Sequence, residues 1–202
     1  RSTYYSLKSL EYLLNDVGLY VCGAKTVEAY GGSIRVYIRK QQEKITHNNL
    51  YLDAINIHAT EEASGINTNR ALELFNERTQ TLKTTTYNLL KHIYEKNGKI
   101  VALGASTKGN MICQFIGADR DIIECVLDNN DKKIGKIMTG TDIPIVEERL
   151  WLDKIPEYLF VLPYYYTDFF KGLIAKNTPK NKSTYLIVPL PNPHVVKVEG
   201  LK

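Results

Sequence analysis

A short turn between two apolar stretches carries the residue types best suited to chemistry. Residues 104–110 place a glycine at each end of the turn and the ammonium of Lys108 between them. The apolar run before it (100–103) and the apolar stretch after it (111–116) predict a strand and a helix. Backbone N–H groups at a helix N-terminus attract anions. The turn therefore predicts a phosphate contact, for which the candidates are Ser106, Thr107, Lys108 and Asn110. The alternative is a tight turn in which Lys108 is only solvated.

The turn matches none of the well-known phosphate or nucleophile loops. Ser106 replaces the middle glycine of the dinucleotide fingerprint, and Asn110 stands where a P-loop requires lysine after Gly109. Lys108 replaces the second glycine of a nucleophile elbow. Asp128, at the end of the next predicted strand, is suited to hold a ribose hydroxyl, which keeps NAD as an alternative ligand.

Polar and aromatic side chains also follow other predicted strands. Three consecutive tyrosines, Tyr164, Tyr165 and Tyr166, come directly after the buried run 158–162. Tyrosine offers both a stacking face and a hydroxyl, which suits a base or a sugar; core packing of two of the three is the alternative. Asn129 is a similar candidate, or part of a solvated loop. The histidines are isolated, and only His194 lies near a strand end.

Residues 98–202 alternate strands with helices, which predicts a Rossmann-like α/β domain with a mostly parallel sheet. Ligands of such sheets bind where the strands end. Before it, residues 41–97 predict a helical connector whose amphipathic pattern is clear only from Asn69 onward. Residues 1–40 predict a helix and a two-stranded hairpin, as at the end of a class I methyltransferase domain.

Composition excludes several classes of function. The net charge of +4 is dispersed, without a run of five basic residues, so we expect no nucleic-acid partner. No apolar run approaches the ~20 residues of a membrane span. The three cysteines lack the spacing of a metal site, which favours reduced core residues and a cytoplasmic protein. The chain begins at Arg1 in the middle of a pattern, which suggests an upstream part.

Six stretches occur in a recognisable order over nearly the whole chain. They are Tyr4-Tyr5-Ser6-Leu7, Gly31-Gly32-Ser33-Ile34-Arg35, Gly104-Ala105-Ser106-Thr107-Lys108-Gly109-Asn110, Asp128-Asn129-Asn130-Asp131-Lys132-Lys133-Ile134-Gly135, Gly140-Thr141-Asp142-Ile143-Pro144-Ile145 and Val161-Leu162-Pro163. The series resembles the C-terminal part of the S-adenosylmethionine (SAM)-dependent sugar C-methyltransferases, which act on nucleotide-linked deoxysugars, typically dTDP-4-keto sugars.

The resemblance implies an enzyme of three regions, of which this chain holds the end of the second (1–40), a connector (41–97) and the third (98–202). The glycine-rich SAM loop and a zinc-binding cysteine segment would lie upstream, so we expect neither cofactor to bind here. The family's catalytic base is a histidine, whose position falls at or before Arg1. The chain alone is therefore expected to be inactive.

The resemblance also implies roles for individual residues. Lys108, with Ser106 and Thr107, would contact an anionic group, and Tyr164–Tyr166 and Asn129 a base or sugar. Where family members often have Trp-His, this chain has Tyr164-Tyr165, so the sugar or base stays open. Gly31, Gly32, Ser33 and Arg35 would lie at the interdomain cleft. Tyr4 and Tyr5 are candidates for lining the substrate site, with packing at the helix entry as the alternative. A non-catalytic nucleotide-sugar-binding module and an NAD-dependent oxidoreductase are the alternatives.

Overall fold

The computed structural model describes residues 3–29, 32–40, 49–151 and 154–202. The chain divides into two compact units, Arg1–Glu77 and Arg78–Lys202. The three-part division expected from the sequence stays a prediction.

The first unit contains the predicted helix and hairpin and one further helix. The helix α1 spans Leu7–Asp16, the strands β1 and β2 span Tyr20–Val27 and Ser33–Arg39, and α2 spans Asn49–Ser64. The strands pair antiparallel. The helix α2 packs on β1 so closely that a Cβ on Gly23 would lie 2.8 Å from Leu50 Cβ. The small core of this unit is formed by Leu7, Ala24 and Ala54.

Side chains from α2 and the segment after it hold the N-terminus of α1. The Leu7 N–H donates to Glu61 Oε1 at 2.5 Å and the Lys8 N–H to Glu61 Oε2 at 3.2 Å. The Ser6 hydroxyl accepts from the Ser9 N–H and donates to Asn67 Oδ1 at 2.6 Å. These bonds satisfy N–H groups that a helix start leaves without partners. They also hold Ser6, the residue that follows Tyr4 and Tyr5.

The second unit confirms the predicted Rossmann-like α/β fold. Its elements begin with α3, Asn69–Asn97, inside which the division between the units falls. Six strands form one sheet in the order β5-β4-β3-β6-β7-β8, with only β8 antiparallel to its neighbour. The elements after α3 are β3 (Ile100–Leu103), α4 (Thr107–Ile116), β4 (Ile123–Asp128), β5 (Ile145–Glu147), β6 (Tyr158–Val161), α5 (Thr167–Asn177), β7 (Ser183–Val188) and β8 (His194–Glu199).

Alternation along the buried strands divides the core into two layers. Ala102 and Phe160 face one cluster, which includes side chains of α3 and α4. Their neighbours Val101, Leu103 and Leu159 face the other cluster, against α5. The next strand in the chain, β4, lies on one side of β3, and the later strand β6 lies on its other side. The crevice of a doubly wound sheet therefore falls between the ends of β3 and β6.

Three elements differ from the sequence-based expectation. The helix α4 begins at Thr107 rather than near residue 111, because the Ser106 hydroxyl accepts from the Gly109 N–H and caps it. The region 41–97 contains two helices, and α2 lacked a pattern because its one buried residue is Ala54. The strand β8 was not predicted.

Burial makes two of the cysteine thiols unreactive. It raises the pKa of Cys113 to about 12, and burial with the nearby Glu124 charge raises the pKa of Cys125 to about 12. At pH 8 only about one thiol in 10⁴ at each position is then the reactive thiolate. We expect Ellman's reagent to label neither in the folded chain and all three cysteines in denaturant. Rapid labelling of either buried cysteine in the folded chain would contradict this.

Within the described residues, none of the helices combines the length and apolar character that a membrane crossing requires.

Candidate functional site

Two glycines bring the turn after β3 into contact with the end of β6. Gly104 has φ 77°, and a Cβ there would lie 2.6 Å from Pro163 Cγ. A Cβ on Gly109 would lie 2.5 Å from Leu162 Cβ. Gly104 therefore makes the tight turn and Gly109 the close helix–strand contact, as the first and third glycines of a dinucleotide fingerprint do. Ser106, at the position of the middle glycine, caps α4 instead.

The structure brings the predicted lysine and the predicted tyrosines together. The Lys108 Nζ lies 4.8 Å from the centre of the Tyr165 ring, within the range of a cation–π contact. The three tyrosines form a short 3₁₀ helix before α5. Tyr165 contacts Tyr164 edge-on at 5.4 Å and Tyr166 at 4.6 Å between ring centres. A cation and aromatic faces thus lie beside the N-terminus of α4.

Asn110, in the first turn of α4, has a shielded acceptor. Its Oδ1 is inaccessible to solvent and accepts no hydrogen bond from the described residues. A buried carbonyl oxygen without a donor costs about 1–3 kcal/mol. Because the oxygen is shielded from solvent, the described structure gives a ligand no direct access to it.

Asp128 is engaged by the chain itself. Its Oδ2 accepts from the Ala105 N–H at 2.8 Å and from Lys133 Nζ at 3.0 Å, and its Oδ1 accepts from the Asn130 N–H at 2.9 Å. The side chain is buried. Asp128 therefore joins the loop after β4 to the turn after β3, and this arrangement disfavours its use for the ribose of NAD.

A cavity of about 470 Å³ opens beside Asp128, and we call it the acidic cavity. It lies at the carboxyl ends of β3, β4 and β5 and against α5. Asp128 and Asn129, both singled out from the sequence, line it, whereas Glu147, Glu148 and Phe169 were missed by sequence reasoning. The acidic residues at the end of β5 were a usable signal. Its lining residues are Gly104, Leu127, Asp128, Asn129, Asp131, Ile134, Glu147, Glu148, Arg149, Phe169, Phe170 and Leu173.

In the first unit, most of the predicted residues line one cavity of about 810 Å³. These are Tyr4, Tyr5, Gly32 and Ser33. Arg35 is not among the lining residues there, because Ile34 and Val36 line the cavity and successive strand side chains alternate between faces. Gly31 and Arg1 lie outside the described residues.

The described residues do not fit a zinc site. In that part of the chain, no three His, Cys, Asp or Glu side chains are grouped to hold a metal ion. Cys113 and Cys125 are buried thiols whose raised pKa keeps them protonated, and zinc binds the thiolate. The zinc implied by the resemblance stays a prediction.

The mostly parallel sheet and the position of the candidate site at the carboxyl ends of its strands define an α/β protein of the doubly wound, Rossmann-like class. A family model described as the C-methyltransferase C-terminal domain matches residues 28–191. The chain belongs to this family.

One curated relative is similar over almost the whole chain. The C-methyltransferase NovU of Streptomyces niveus is 27% identical over 204 residues, which cover 98% of this chain and 46% of that protein. The chain thus spans about half the length of the curated relative that it matches. These findings confirm the resemblance to C-terminal domains of sugar C-methyltransferases.

Proposed function

We propose that this chain is the C-terminal part of a SAM-dependent enzyme that methylates C3 of a nucleotide-linked 4-keto deoxysugar, such as a dTDP-sugar. The family and the name of the relative support C-methyl transfer. The role of this chain is to hold the nucleotide sugar. The proposal includes a cytoplasmic location and a catalytic histidine at or before Arg1, so that the chain alone does not transfer methyl groups.

The proposed chemistry begins with the acidity of the sugar. The 4-keto group would make the C3 proton removable by a base. The enolate carbon would then bond to the methyl carbon as the methyl–sulfur bond breaks, and the sulfonium would leave as a neutral thioether. When bound by the upstream part, SAM supplies that methyl group as the electrophile. The residues of this chain act on the substrate only by binding and orienting it, which lowers the entropic part of the barrier.

The observation that carries the proposal for this chain is the arrangement around the start of α4. Lys108 and the helix N-terminus favour a diphosphate, and the rings of Tyr164–Tyr166 offer faces to a base or sugar. Asn110 lies in the same first turn of α4 and completes the candidate set. Ser106 and Thr107 contribute through the helix start, since the Ser106 hydroxyl caps it.

Removing the lysine charge tests the site directly. We expect Lys108→Ala to raise the dissociation constant of dTDP about tenfold, equivalent to roughly 1.4 kcal/mol, because an ammonium near the diphosphate is lost. Titration calorimetry on the 202-residue chain measures it.

Lys176→Ala is the matched control, because Lys176 is an exposed lysine in the last turn of α5. It should leave dTDP affinity unchanged. Equal affinity of wild type and Lys108→Ala would exclude Lys108 as the phosphate contact. Binding of NAD in preference to dTDP would instead favour the oxidoreductase alternative.

A further inference from the structure

The acidic cavity differs in charge from the proposed diphosphate site at the start of α4. Four carboxylates and one arginine line it: Asp128, Asp131, Glu147, Glu148 and Arg149. Lys133 contacts Asp128 and offsets that charge, while Arg149 lies 3.9 Å from Glu147 and is itself highly exposed. The remaining charge is negative. A phosphate group in this cavity would meet repulsion from the glutamates.

Part of the lining of the acidic cavity is apolar and aromatic. Phe169 and Phe170, from the first turns of α5, line it together with Leu127 and Leu173. The two rings contact each other edge to face, with centres 5.5 Å apart. Phe169 is two-thirds exposed (66%), so its ring face is open to a flat ring stacked on it.

The position of the glutamates indicates what they would bind. In doubly wound sheets, a carboxylate at the end of a strand near the glycine turn accepts hydrogen bonds from ribose hydroxyls. Asp128 has the expected position but is engaged by Ala105, Asn130 and Lys133. Glu147 and Glu148 follow at the end of the neighbouring strand β5, and both are half-buried. They can take over this role.

We propose that the acidic cavity binds a ribonucleoside that carries no phosphate, with the base against Phe169 and the ribose hydroxyls on Glu147 and Glu148. The cavity volume of about 470 Å³ lies within the range of small-molecule sites. This ligand differs from a dTDP-sugar in both sugar and charge, so the site does not depend on the proposed methyl transfer.

Three compounds titrated into the wild-type chain separate the effect of a ribose hydroxyl from the effect of a phosphate. Adenosine is the reference, 2′-deoxyadenosine removes one hydroxyl, and adenosine 5′-monophosphate adds the phosphate. We expect each change to weaken binding about tenfold, through a lost bond to a carboxylate in the first case and repulsion in the second. Titration calorimetry or ligand-observed NMR measures all three. Absence of adenosine binding, or equal binding of adenosine and its monophosphate, would overturn the proposal.

Substitutions in its lining test whether adenosine binds in the acidic cavity. The double substitution Glu147→Gln and Glu148→Gln should weaken adenosine binding about tenfold and reduce the discrimination against the monophosphate. Glu157→Gln is the matched control, because Glu157 is an exposed glutamate just before β6, where the parallel strands begin, whereas the acidic cavity lies where they end. Phe169→Ala should also weaken binding, and this exposed position is expected to leave folding intact.

A final measurement distinguishes this site from the proposed substrate site. Saturating dTDP should not displace adenosine, and Lys108→Ala should leave adenosine affinity unchanged. Displacement of adenosine by dTDP would overturn a separate ribonucleoside site, whereas failure of dTDP to bind at all would count only against the proposed function.

Discussion

Gly104→Ala is expected to lower the free energy of unfolding of the second unit by about 2–5 kcal/mol. The backbone there has φ 77°, which costs a residue with a Cβ roughly 1–2 kcal/mol. The new Cβ would also lie 2.6 Å from Pro163 Cγ, and such overpacking costs about 1–3 kcal/mol more. Trp151, the only tryptophan, packs in this unit, so its fluorescence during urea unfolding reports the change.

Gly98→Ala separates the two contributions. Gly98 also has a positive φ, 83°, but a Cβ there would meet nothing within 4 Å. The control should therefore lose only the backbone part, about 1–2 kcal/mol. If both variants lose the same stability, the contact between the turn after β3 and Pro163 contributes nothing.

Asp128→Ala is expected to cost about 2–4 kcal/mol and to loosen the turn after β3. The substitution leaves the buried Ala105 N–H without its acceptor, and Asn130 and Lys133 lose theirs as well. The same tryptophan-monitored unfolding measures the loss. Hydrogen exchange at the Ala105 amide should accelerate, which localises the effect.

Asp131→Ala is the control for Asp128, because Asp131 is an exposed carboxylate three residues later that also lines the acidic cavity. Its removal should change stability by less than about 0.5 kcal/mol. Unchanged exchange at Ala105 in Asp128→Ala would contradict the structural role of this carboxylate.

The parts of the fold that the sequence predicted well are those where burial decides the structure. The run Ile100–Leu103 is buried at every position, so its length and its flanking glycines define a central strand. The helix α2 was missed because only Ala54 is buried, and a periodic apolar pattern needs several buried positions. The strand β8 was missed because the consecutive Val195 and Val196 break the apolar–polar alternation, and only Val198 is buried.

Side-chain partners explain what could be predicted of the site. Lys108 and Tyr165 follow adjacent strands of a parallel sheet, so the rule that such strand ends meet is enough to place them together. Asp128 was predicted to face a ligand, yet its partner Ala105 is 23 residues away. Nothing local in the sequence indicates that bond. Phe169 was missed because an aromatic residue in a helix ordinarily indicates core.

The ends of the six-stranded sheet bear on the aggregation behaviour of the second unit. An outer strand offers open N–H and C=O groups to any other extended chain. Here β5 is only three residues long and follows Pro144, which has no N–H. At the other end, β8 exposes the ion pair of Lys197 and Glu199, with Nζ and Oε1 3.0 Å apart. A short strand at one end and paired charges at the other oppose strand-to-strand association, so the unit should stay dispersed at high concentration.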